Sequence, residues 1–406
     1  MRLNSVIVSD PSSSDVILPG PGAAEAVPRA DATAAPRPGW GRRLWHGAWT
    51  LCNWCFGAVT IVVGLAVLSI LPVLNLLSLG YLLEASGRVA RTGRLRDGFI
   101  GMRQASIMGS MVLGTWLVFW PVRLVSSLWQ DASLVAPGSR SETFWHAAVA
   151  VLAVLTVGHV AWACIRGGRF RHFLWPAPVR FVRWLSEEGK YAAMRDAVWR
   201  YVTGLRLPYY FWMGVRGFFG ALLWLLAPVA ILMGASNLPP DKGGVFFSLV
   251  GSLILLCVVV YLPFLQAHFA MTNRFREMFS IRAVRHLFRR APIAFWMAMV
   301  VTVLFALPLY FLKIELTPQE LAWLPSLFFV AFIFPARLLT GWAVSRGHRR
   351  QTKRHLLFRW LGRAGLIPMV GLYVLFVYLS QYLSWNGAAS LLEQHAFMVP
   401  APLMNL

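Results

Sequence analysis

From Trp49 onward the chain alternates long apolar runs with short polar links. At 1.5 Å of rise per residue, about twenty apolar residues cross roughly 30 Å of hydrocarbon, so each long run predicts a membrane-spanning helix. The predicted spans are 51–71, 107–128, 144–164, 210–235, 245–270, 293–312, 324–345 and 364–383. The first apolar block continues to Leu83 and is broken by Pro72 and Asn75, which suits a chain that enters and returns as a broken hairpin better than a single crossing. The expected fold is therefore all-α: a polytopic integral membrane protein of seven or eight transmembrane helices, with amphipathic helices at its interface. The expected membrane domain is 45–385. Residues 1–44, rich in Pro and Ala, carry too little apolar surface to offset the entropy of ordering and are expected to be a disordered tail, and 386–406 a short tail.

Charge then orients the helices. The links at 130–143, 236–244 and 313–323 are nearly free of Arg. Those at 86–103, 166–208, 273–292 and 346–363 carry Arg88, Arg91, Arg94, Arg96 and Arg103 in the first and similar clusters in the rest. The two sets alternate without exception, as the positive-inside rule requires of successive crossings, so the basic links are expected in the cytoplasm and the C-terminus outside. No cleavable signal precedes the first block, which is expected to act as an uncleaved anchor in the inner membrane of a bacterium, a source hinted at by the preference for Arg over Lys.

Composition sharpens this reading. Of 406 residues 58% are hydrophobic and 13% charged, which excludes a single water-soluble globule. The net charge of +22 calls for an anionic partner. Nucleic acid fits poorly, because the charge is divided among four links and no recognition fold is evident, so membrane lipid headgroups are the expected partner, with a protein partner or a second copy as further options. The stripes Tyr191, Met194, Val198, Tyr201 and Val284, Leu287, Phe288, and Leu356, Leu357, Trp360, Leu361, predict helices lying in the membrane plane with arginines among headgroups. Arg282, Arg285 and Arg289 flank the second stripe. Arg88, Arg91 and Arg94 sit in a glycine-containing segment, Gly87 to Gly101, able to offer N–H groups and guanidinium forks to phosphate.

Candidate chemistry within the spans is sparse. Arg123, Arg216, His159 and His268 lie near enough to span ends to snorkel, whereas Arg337 falls close to the middle of its span, just after Pro335, and is a default intramembrane site. No Asp or Glu lies inside a span, the nearest being Glu84, and no P-loop, G-x-S-x-G or H-E-x-x-H pattern occurs. Cys52 and Cys55 form a C-x-x-C without further ligands and read as packing, so no metal or other cofactor is expected. A repeat is visible between 190–274 and 273–346, where Pro208 and Pro292 each begin P-x-x-F-W-M, and Pro263 and Pro335 each precede an arginine by eleven residues. These features predict a non-enzymatic multi-pass membrane protein whose basic face engages anionic lipid or a partner protein. A solute or lipid transporter is the alternative, and an enzyme acting on a phosphate-bearing lipid the third reading.

Overall fold

The computed structural model describes residues 40–186, 189–239, 243–314, 323–383 and Leu391. The expected tails lie almost wholly outside that range, except that residues 40–44 are already helical. The chain divides into a unit ending at Trp49 and a unit from Thr50 onward, and the helical bundle belongs to the second. The helices are α1 Trp40–Ile70, α2 Leu74–Thr92, α3 Met102–Val135, α4 Arg140–Ile165, α5 Phe170–Leu174, α6 Pro178–Ser186, α7 Lys190–Gly204, α8 Leu207–Ser236, α9 Gly244–Thr272, α10 Ile281–Arg290, α11 Pro292–Ile314, α12 Trp323–Arg349 and α13 Leu356–Leu383. Among the described residues there is no strand. Among the described residues seven helices are long and apolar enough to cross a membrane, or eight if α10 and α11, bent by 111°, count together.

The first apolar block is a helical hairpin. Ser78 Oγ lies 3.0 Å from Ser69 Oγ and donates to Leu65 O at 3.2 Å, which turns the start of α2 back beside the end of α1. The reversal follows Pro72 and places Val73 at φ 71°, a region unfavourable for a β-branched residue.

The returning helix is the centre of the bundle. It packs against α8, α9 and α12, and nearly every residue from Leu77 to Ala90 is buried. Because protein surrounds it, α2 needs no continuous apolar surface, and its small residues let neighbouring backbones approach closely. Gly80 faces Tyr210 and Gly214 of α8, Gly87 faces Ala270 of α9, and Ser86 faces Gly341 of α12. The larger core cluster joins α2, α8, α9, α10, α11, α12 and α13 through residues such as Phe264, Phe295 and Tyr373.

Three helices end in the same elbow. The exit of α2 reads Gly93-Arg94-Leu95-Arg96-Asp97, that of α9 Asn273-Arg274-Phe275-Arg276-Glu277, and that of α4 Gly168-Arg169-Phe170-Arg171-His172. The first residue of each is left-handed, at φ 72°, 56° and 62°, which Gly and Asn tolerate. The arginine after it is extended, and a tight turn follows. That turn closes when the N–H of Asp97, Glu277 or His172 donates to the carbonyl of Arg94, Arg274 or Arg169 at 3.2, 3.0 or 2.8 Å. The next residue is buried in all three: Gly98, Met278 and Phe173. Met278 fills a notch left by Gly220 of α8, and Phe173 one left by Gly114 of α3. The repeat expected from sequence pairs α8 and α9 with α11 and α12, but α12 runs on through Arg346 to Arg349 without an elbow. The elbow instead relates α9 to α2 and α4.

Candidate functional site

Some of the arginines cap helix ends and others face outward. A helix C-terminus carries unpaired carbonyls and partial negative charge, so a cation from a neighbouring helix is stabilising there. Arg91 Nη1 donates to Ala270 O at 3.0 Å and Met271 O at 3.2 Å, at the end of α9. Arg216 Nη2 donates to Asn273 Oδ1 at 2.7 Å, and Arg349 donates to Thr92 O at the end of α2. Arg91 also pairs with Glu84, which accepts a further hydrogen bond from Tyr209 Oη at 2.8 Å. Glu84 is buried, so this three-residue network ties α2, α8 and α9 together at one end.

Of the arginines predicted to meet phosphate, Arg91 is thus committed to Glu84 and the α9 carbonyls. Arg88 and Arg94 are exposed. The glycines between them serve packing and turn geometry: Gly87 lies against Ala270, Gly98 against Leu338, and Gly93 supplies the left-handed elbow position. On α10, Arg282 and Arg285 are exposed, and Arg289 is half-buried with its Nε enclosed and without a hydrogen-bond partner among the described residues. The apolar face of α10 departs from expectation. Val284 and Leu287 belong to the protein core, Leu287 packing on Gly347 of α12, so this helix does not bury that face in lipid.

The other two stripes are covered less. On α7 no residue is buried: Tyr191 and Val198 are exposed, whereas Met194 and Tyr201 are half-buried and Tyr201 Oη donates to Gln104 O at 3.1 Å. At the start of α13, Leu356, Leu357, Trp360 and Leu361 are 61–72% exposed among Arg354, Arg359 and Arg363.

Arg337 lies deep between α12 and α9, 5% exposed, and donates to Gln266 Oε1, itself fully buried. Thr340 Oγ1 donates to Arg337 O at 2.8 Å and stands 3.5 Å from Ser86 Oγ of α2. A guanidinium so placed is stabilised by the Gln266 side-chain amide of the neighbouring helix instead of by snorkelling. The adjoining cavity, between Pro263, Thr302, Phe305, Ile333 and Arg337, measures about 20 Å³, room for one water.

Of the remaining ionisable groups singled out within spans, Arg123 is exposed, and His159 and His268 are engaged. His159 Nε2 lies 2.8 Å from Phe173 O, fixing the third elbow to α4. His268 lies 3.4 Å from Glu277 of the second elbow and stacks on His348 at 5.8 Å between ring centroids. Cys52 and Cys55 are exposed thiols on α1.

A second basic cluster is not evident from the sequence: Trp162 and Arg166 at the end of α4 meet Arg180 and Arg183 of α6 around one opening. The signals were an i,i+4 pair and an i,i+3 pair, but nothing in the sequence shows that these two pairs meet. No family model matches the chain, and no curated protein or solved structure matches it either.

Proposed function

We propose that this chain is a multi-pass plasma-membrane protein, non-enzymatic, whose arginine-rich face lies in the cytoplasm and holds anionic lipid headgroups. The observation that carries this reading is the open apolar stripe at the start of α13, with Leu356, Leu357, Trp360 and Leu361 exposed among three arginines. An apolar stripe of that kind is unfavourable in water. It is satisfied when the stripe sinks to the acyl boundary and the arginines sit at headgroup depth, each contributing about 1 kcal/mol near an anionic surface. The open face of α7 asks for the same environment. The cavity beside Arg337 gives the transporter alternative little support, since it holds about one water.

Lipid that binds only the folded state raises its stability by mass action. The purified protein in phosphatidylcholine nanodiscs is therefore expected to melt several degrees higher when a third of the lipid is replaced by phosphatidylglycerol. Glutamine at Arg354, Arg359 and Arg363 together is expected to reduce that gain. Equal melting in both lipids would contradict the reading.

A further inference from the structure

The opening between α4 and α6 is built differently from the rest of the basic face. It has a volume of about 300 Å³ and is lined by Trp162, Arg166, His172, Arg180, Arg183, Trp184 and Lys190, with no acidic side chain among them. Glu187 and Glu188, in the link between α6 and α7, lie outside the described residues. The wall is fixed in place. Arg166 Nη2 donates to the carbonyls of His172 and, at 2.7 Å, Trp175, and its guanidinium lies over the Trp162 ring at 5.5 Å. Trp162 Nε1 donates to Pro176 O at 3.0 Å, and its ring packs against Phe181 and Trp184 at 5.1 and 5.7 Å. Arg166 Nε and His172 Nδ1 are enclosed without a hydrogen-bond partner among the described residues.

The electrostatics agree. The His172 imidazole is held below its ordinary range, first by burial and then by Arg166, Arg171, Arg169 and Arg180, and Arg166 is lowered by burial and by Arg180. Cations crowded in this way repel one another unless an anion joins them. The surroundings point to the source of that anion. On α6, Val179 and Val182 are exposed one position before Arg180 and Arg183, and Trp175 is exposed just ahead of the helix. An apolar face beside an arginine face, with tryptophans at the same level, is the pattern of a helix lying at headgroup depth.

We propose that this opening is a binding site for a phosphate group, presented by an anionic membrane lipid, with Arg180 and Arg183 as forks and Arg166 as the fixed floor. The two α6 arginines are exposed and free to close on phosphate oxygens bidentately, a geometry that Arg offers and Lys does not. The site rests on the reading that the basic face engages anionic lipid, and it makes one element of that face specific.

The test uses the full chain in phosphatidylcholine nanodiscs doped with dioleoyl phosphatidic acid, with retained lipid counted by native mass spectrometry after ejection from the disc. Wild type is expected to retain phosphatidic acid in preference to phosphatidylcholine. Arg180→Gln/Arg183→Gln is expected to lower retention about tenfold or more, given roughly 1 kcal/mol per basic group. Arg354→Gln/Arg359→Gln/Arg363→Gln, on the start of α13, is expected to leave that tightest lipid in place. Unchanged retention in the α6 variant overturns the site, while the face-level reading stands if the α13 variant loses lipid. No preference in wild type overturns both. Millimolar inorganic phosphate added to wild type identifies the source: an unaffected lipid count supports a headgroup site, and displacement overturns the lipid assignment in favour of soluble phosphate.

Discussion

Alanine at Gly80 or at Gly214 is expected to prevent stable assembly of the bundle. A Cβ at Gly80 would lie 1.7 Å from Tyr210 O, and one at Gly214 would lie 1.8 Å from Leu76 O, so each glycine faces the backbone of the opposite helix. Overpacking against movable side chains costs about 1–3 kcal/mol. Here the obstacle is main chain, and relief requires α2 and α8 to separate, opening an extensive buried contact. Against total stabilities of roughly 5–15 kcal/mol such a loss is expected to abolish the monodisperse peak in detergent size-exclusion chromatography. Gly158 and Gly234, where nothing lies within 4 Å of a Cβ, are the controls. Alanine there is expected to leave melting unchanged or raise it slightly, since Ala is the better helix former. Wild-type melting of the Gly80→Ala protein would show that α2 and α8 do not cross in this way.

The next largest effect is expected at Glu84 and Arg91. Replacing Arg91 by Met strands a buried carboxylate, leaving it the Tyr209 hydroxyl at 2.8 Å as a partner among the described residues, and uncaps the α9 carbonyls. Removing one member of a buried pair costs about 3–5 kcal/mol, and the lower end applies because the Arg91 side chain is 40% exposed. The double variant Arg91→Met/Glu84→Leu removes the stranded charge and is expected to recover a large part of the loss. Chemical or thermal unfolding of the two single variants and the double closes the cycle. A double variant as unstable as the sum of the singles would mean that the two side chains do not act as a pair.

The chain's hydrophobic pattern made the helices legible because a membrane span demands a continuous apolar run. It also pointed to the α1–α2 hairpin, through Pro72 and Asn75. It did not distinguish α2 as the central helix, since a segment surrounded by protein can carry Ser78, Gly80, Glu84 and Ser86 and so resembles a fading span. The elbows escaped notice because their left-handed position is Gly in two and Asn in one, and they follow helices of unequal separation along the chain. The basic charge was legible in amount but not in use. Arg88 and Arg91 look alike in the sequence, yet Arg91 caps α9 while Arg88 is exposed, and only tertiary contacts separate a cap from a headgroup ligand. The α10 stripe was misplaced for a related reason: periodicity shows an apolar face but not whether Gly347 or an acyl chain covers it.

The most direct measurement of the central claim is extraction of the protein from its own membrane in native lipid, followed by mass spectrometry of everything that remains bound. The account predicts enrichment of phosphate-bearing anionic lipids over the bulk membrane, reduced when the arginines of α6 and of the start of α13 are replaced by glutamine. Retained lipid of bulk composition, or a soluble ligand held in place of lipid, would contradict it.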